Sequence, residues 1–167
     1  MKTEHTKSMM HTTTSDYNVE RIDPVVIKAK GSLKDRDFMS PFCWDMPDGT
    51  VHMLLRGVPN KKDKRSHGTG SIYFGTSEDG ITFTMDADPV LAPSSDPDAP
   101  DNGGCEDPTV MHHNGEYVVY YTGVERTLKH GVMLYATGPD MHSLVKRGIA
   151  HDSRQKVGNV KETTIAH

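Results

Sequence analysis

The chain has 167 residues, the length of about one domain. Hydrophobic residues make up 34%, and Val, Ile, Leu and Phe together number 31, which predicts a lean or incomplete core. With 19 basic against 23 acidic residues the formal charge is only −4, which argues against wholesale disorder and gives no basic field for nucleic acid. No apolar run approaches the roughly 18 residues of a membrane span. Met1 to Glu20 lacks the apolar stretch of a secretory leader. Two cysteines, Cys43 and Cys105, cannot build a disulfide scaffold and point to a reducing, cytoplasmic setting.

Residues 1–20 are rich in Thr, Ser, Lys and His without apolar period and read as a disordered tail. His5 and His11 lack metal-ligand spacing. From residue 38 the pattern is β. Val51 to Arg56, Ser71 to Thr76, Ile81 to Met85, Glu116 to Thr122 and Val132 to Thr137 are predicted strands, on alternation and on Val and Tyr content. Asp48-Gly49, Asp79-Gly80 and Asn114-Gly115 are the turn dipeptides between them. No segment carries a sustained helical period, so residues 21–167 are predicted to form an almost all-β domain.

An internal repeat organises this domain. Gly49 to Gly57 aligns without gaps on Gly115 to Gly123, and Ile72 to Thr76 aligns on Met133 to Thr137. Asp79 then falls on Asp140, and Phe83 on Leu144. Units of this length and content suit β-propeller blades, while two generic meanders would produce a similar pattern. A propeller closes only with at least about four blades. Two units predict an incomplete propeller of about two to three blades, completed by further chain or by a second copy. Lys156 to His167 shows no closing strand, which agrees with truncation.

Asp86 to Asp107 links the two units and is the densest acidic stretch. A calcium cage would need regular ligand spacing around a central Gly, which is missing, and a plain acidic linker accounts for Asp96 to Asp101. Glu106-Asp107-Pro108 differs, because it follows Gly103-Gly104, which lets backbone approach a ligand. Pro108 biases Asp107 towards extended backbone, where neighbours point opposite ways. One carboxylate would then face a pocket while the other braces the scaffold. Such a pair suits protonation of a departing sugar oxygen, and ordinary surface carboxylates compete with that reading.

Arg56 ends an apolar strand and is either a fork for an anion or a solvated strand end. Lys61, Lys62, Lys64 and Arg65 form a basic loop that is solvated or attracts an anionic substrate. Of His112 and His113, adjacent on a strand, one is expected to be buried and hydrogen-bonded. Trp44, Tyr120 and Tyr121 either stack on sugar rings or pack the core. Cys43 and Cys105 read as structural thiols, and no metal site, phosphate loop or dinucleotide fingerprint is present.

Gly104-Cys105-Glu106-Asp107-Pro108-Thr109-Val110, followed by Asn114 to Tyr117 and Tyr120 to Gly123, resembles the central signature of glycoside hydrolase family 130, the β-mannoside phosphorylases and β-mannosidases. Leu54 to Gly57, Ser71-Ile72, Ser77 to Phe83, Asp88 to Pro93 and Lys161 to Thr163 are similar to further family segments, so the resemblance runs over about residues 38–166. It implies a five-bladed β-propeller and an inverting phosphorolysis or hydrolysis of β-mannosides or related oligosaccharides. It implies Asp107 as general acid, acting in the phosphorylases through a sugar hydroxyl. Arg56, Glu106, Ser71 and Tyr121 are the implied substrate contacts, inorganic phosphate is the possible co-substrate, and no other cofactor is expected. The family motif continues Glu-Asp-Pro-Arg, whereas position 109 here is Thr109. That removes a permanent cation, puts phosphate use in question and tilts the expectation towards hydrolysis or an unusual specificity. Family members are roughly twice this length, so the missing blades are expected in further or complementing chain, or in a homo-oligomer. Two alternatives stand beside this reading: a non-catalytic carbohydrate-binding or vestigial propeller, and a furanosidase-type hydrolase.

Overall fold

A computed structural model describes residues 22–60, 70–127 and 131–151. The expected tail, the Lys61–Arg65 run and the segments from Lys156 to His167 lie outside the described residues. The described chain is all-β apart from one short 3-10 turn, Gly31–Asp35. Nine strands follow in order: β1 (Val26–Lys28), β2 (Arg36–Asp45), β3 (Val51–Pro59), β4 (Ser71–Ser77), β5 (Thr82–Met85), β6 (Gly104–His113), β7 (Glu116–Val124), β8 (Gly131–Gly138) and β9 (Val145–His151). Among the described residues no helix is long and apolar enough to cross a membrane.

Two sheets result. The first has the order β1-β5-β4-β3-β2 and the second β6-β7-β8-β9. Leaving aside β1, which pairs parallel to β5, each is a four-stranded antiparallel meander. The repeat is therefore structural: β3 corresponds to β7, and β4 to β8. Asp79 and Asp140 even do the same work. The Asp79 carboxylate accepts the backbone N–H groups of Ile81 and Thr82 at 2.8 and 2.6 Å. That of Asp140 accepts those of His142 and Ser143 at 2.9 and 2.8 Å. Each closes the turn before the last strand of its sheet; the backbone bonds hold the Asp79 carboxyl below the usual carboxylate range, and the Ser143 hydroxyl, together with the backbone bonds, does so for Asp140. Gly49, Gly80 and Gly115 take positive φ at the turns predicted for them, and Asn114 joins Gly115 in the left-handed region as a two-residue hairpin requires.

The core lies mainly between the two sheets. Leu54, Ile72 and Phe74 of the first meet Val110, Val119, Tyr121, Val132, Leu134 and Ala136 of the second. Leu91, from the linker, seals one end by pairing with Ile72. A second cluster, Leu33, Met53, Leu55, Tyr73, Phe83 and Met85, covers the far face of the first sheet. β3 thus buries both faces, with Leu54 on one and Met53 and Leu55 on the other, which explains its unbroken apolar run. Each fully buried Leu stabilises the fold by about 1.5–3 kcal/mol.

Three expectations need correction here. His112 and His113 are both exposed, beside the hairpin tip, because β6 runs out past the core at that end. His112 only leans on the ring of Tyr117, at 4.8 Å between centroids. Cys43 is exposed as well, so only Cys105 is a buried thiol. Asp101 is not plain linker. It is 2% exposed and accepts bonds from the Tyr121 hydroxyl at 3.1 Å, the Lys146 ammonium at 2.5 Å and the Cys105 thiol at 3.7 Å. A buried carboxylate persists when donors replace the water it has lost. Burial pushes both the Cys105 thiol and the Tyr121 phenol well up from their ordinary values.

Candidate active site

The edge strands β2 and β6 lie side by side where the sheets meet, and the carboxylates predicted for chemistry stand there. Arg56, on β3, reaches across. Its Nη2 donates to Glu106 Oε1 at 2.5 Å and its Nη1 to Asp107 Oδ1 at 3.2 Å. Ser40 of β2 donates its hydroxyl to the same Asp107 oxygen at 2.6 Å. The side chains of Arg56, Glu106 and Asp107 are 11%, 2% and 9% exposed. Arg56 is therefore no solvated strand end.

The opposed orientation expected for Glu106 and Asp107 does not occur. Both turn to one guanidinium, because Asp107 has a φ of +48° and the β6–β7 register breaks between Glu106 and Thr109. Asp107 and Pro108 together oppose the single residue Tyr121, which makes a bulge. Proline has no N–H for the ladder, so the break falls where pairing is lost anyway. The local preference for extended backbone before proline yields to that bulge and to two donors on the carboxylate.

β2 repeats the device. Ser40 has a φ of +46°, Pro41 follows it, and the register with β3 breaks between Met39 and Phe42. Ser40-Pro41 is thus the counterpart of Asp107-Pro108, and Ser40 is the site residue that sequence reasoning missed. The signal was present as an Xaa-Pro pair 67 positions upstream of Asp107.

Backbone closeness holds Arg56 in place. A Cβ on Gly70 would lie 3.0 Å from Arg56 Nε and 3.1 Å from its Cγ. Gly70 is itself fixed by the Cys105 N–H, which donates to its carbonyl at 2.9 Å. Ser71, next along, is buried and pairs with Gly57, the neighbour of Arg56. Tyr121 is placed elsewhere, on the core side of β7 with its hydroxyl on Asp101. Trp44 packs among the rings of His52, Phe74 and Tyr117, at centroid distances of 5.4, 6.2 and 6.4 Å. Tyr120 stacks on Tyr135 at 6.1 Å. Thr109 buries a hydroxyl that finds no hydrogen-bond partner among the described residues.

Chemically, Arg56 and Ser40 hold one Asp107 oxygen and fix the plane of the carboxyl group. Glu106 is turned inward onto the cation. A carboxyl group oriented this way, at the seam of two sheets, is placed for proton transfer.

Residues 52–156 match the family described as beta-1,4-mannooligosaccharide phosphorylase. Among solved structures, one from Bacteroides ovatus, assigned to the glycoside hydrolases, is 32% identical with a TM-score of 0.56, over 69% of this chain and 32% of that one. One from Parabacteroides distasonis, also assigned to the glycoside hydrolases, is 31% identical with a TM-score of 0.57, over 69% of this chain and 33% of that one. A third comes from a description of family 130 mannoside phosphorylases that include hydrolases of β-1,2-mannosidic linkages in Candida mannan. It is 28% identical with a TM-score of 0.58, over 74% of this chain and 34% of that one. The comparison with curated proteins found no match.

These similarities fall in one class, the glycoside hydrolases. Within that class, the chain belongs to glycoside hydrolase family 130, and Arg56, Glu106 and Asp107 all lie inside the matched segment. It spans about a third of the length of the structures it matches.

Proposed function

We propose that this chain carries the acid-bearing part of an inverting β-mannoside hydrolase built on a five-bladed propeller. The observation that carries the reading is the Asp107 carboxyl, held by Arg56 and Ser40 through one oxygen at the seam of two blade-like sheets. The proton on Asp107 passes to the glycosidic oxygen as the bond from the anomeric carbon to that oxygen breaks. Water attacks the anomeric carbon from the opposite face and gives up a proton to a base. Glu106 is not that base, since inversion needs carboxyl groups roughly 6.5–9.5 Å apart and Glu106 shares one guanidinium with Asp107. It braces the acid, and the base comes from another blade.

Two features favour water over phosphate. Both Nη atoms of Arg56 are committed to carboxyl groups, and position 109, whose hydroxyl is buried, brings no cation. Exposed Phe38 and Met39 on β2, and Val145 and Ile149 on β9, supply apolar surface for neighbouring blades. The test is to incubate the natural full-length protein with β-mannobiose, with and without phosphate. Free mannose is expected in both, at equal rates, and Asp107→Asn should lower kcat by at least about 10²-fold. Phosphate-dependent release of mannose 1-phosphate would replace hydrolysis by phosphorolysis. Sugar binding without turnover would make the protein a binding module.

A further inference from the structure

We infer that Ser40 is a positioning residue for the acid: its hydroxyl sets the rotation of the Asp107 carboxyl group and so decides which oxygen carries the transferable proton. The inference rests on Asp107 being that acid. Arg56 alone would fix Asp107 only loosely, because its Nη1 contact is 3.2 Å and its shorter bond goes to Glu106. Ser40 makes the closer contact, 2.6 Å, and to the same oxygen. Two donors converging on Oδ1 leave it occupied and reserve Oδ2 for the proton.

The backbone supports this reading independently. Ser40 and Asp107 are two of the three non-glycine residues at positive φ among the described residues, the third being Asn114 in its hairpin turn. Both precede proline in a bulge on an edge strand, and the two bulges face one another across the seam. A left-handed conformation at a residue other than glycine costs of order 1–3 kcal/mol and persists where surroundings hold it. At Ser40 it aims a short hydroxyl at the carboxylate. Glycine would satisfy the backbone better but would supply no donor.

That difference makes the test. In the natural full-length protein, Ser40→Gly keeps the bulge, relieves its strain and deletes the donor. Ser40→Asn tolerates positive φ and keeps a donor. Ser40→Gly is expected to lower kcat roughly tenfold, with KM within about twofold of wild type, as loss of an interaction felt in the transition state should. Ser40→Asn should recover kcat to within about threefold. In crystals, Ser40→Gly should show the Asp107 carboxyl turned away from the orientation reported above. Wild-type kcat in Ser40→Gly, equal losses in the Gly and Asn variants, or an unmoved carboxyl group would each overturn the inference. Unchanged turnover in Asp107→Asn would instead overturn the assignment of the acid.

Discussion

Removing the cation of the Arg56 cluster should cost far more than removing either anion. Arg56→Met leaves Glu106 and Asp107 side by side, with side chains 2% and 9% exposed and without their shared counter-charge. Two charge-assisted bonds, at 2.5 and 3.2 Å, disappear together. Each is worth about 1.5–3 kcal/mol, and breaking a buried pair from one side typically costs about 3–5 kcal/mol. Glu106→Gln is a milder change. It keeps an oxygen for Nη2 and leaves Arg56 paired with Asp107, so about 1–2 kcal/mol is expected. Urea unfolding at neutral pH measures both, read from the midpoint at an unchanged denaturant slope. The expected order is Arg56→Met well below Glu106→Gln, and Glu106→Gln below wild type. Equal losses, or a loss under about 1 kcal/mol in Arg56→Met, would show that water reaches the carboxylates and screens the pairing with Arg56.

Two further perturbations test how the site and its scaffold are held. Gly70→Ala places a methyl group 3.0 Å from Arg56 Nε, tight enough to push a guanidinium pinned at its other end. A shift of a few tenths of an ångström should lower kcat roughly 3–10-fold, scaled from the about 10²-fold loss per ångström of misplacement, and mannose release measures it. Asp79→Ala and Asp140→Ala remove two exposed turn carboxylates that titrate below the ordinary carboxylate value in the folded protein. A depressed folded value stabilises the fold above the unfolded value and loses that contribution as pH falls through the folded one. The gap in urea midpoint between wild type and each variant should therefore hold steady from about pH 5 to 8, begin to narrow near about pH 4, and keep narrowing as the pH falls further.

The strands with both a hydrophobic pattern and a turn dipeptide were legible in the sequence, as was the repeat, because alternation and Asp-Gly or Asn-Gly turns are local signals. β1, β2 and β9 were not predicted as strands, and of β6 only the end at His112 and His113 was. β2 is interrupted by Pro41, β1 is short and pairs with the distant β5, and β9 alternates weakly around Gly148 with much of its surface exposed. At the site, Arg56, Glu106 and Asp107 were all legible, yet their mutual arrangement was not. Strand alternation would send the two acids apart, and only the bulge at Pro108, a product of tertiary pairing, brings them to one arginine. Asp101 was misread for the opposite reason. Its sequence neighbours Asp96 and Asp98 are exposed turn formers, and nothing local distinguishes a carboxylate that meets Tyr121 and Lys146 only after the sheets have packed.

The paired bulges suggest why this scaffold suits chemistry at its seam. β2 and β6 are edge strands of their own sheets, so among the described residues each gives its outer side to no ladder. A proline there sacrifices little pairing, and the residue before it is freed from alternation to point along the seam. The backbone device is the same in both sheets, at the same register against β3 and β7, while the side chain it presents differs. One sheet offers an acid and the other a hydroxyl. Because the two devices meet, a change in either presented side chain acts on the other through a single hydrogen bond of 2.6 Å. The strain at the two positive-φ residues is then part of how the carboxyl group is aimed, and relieving it without replacing the donor should loosen the acid while leaving the sheets intact.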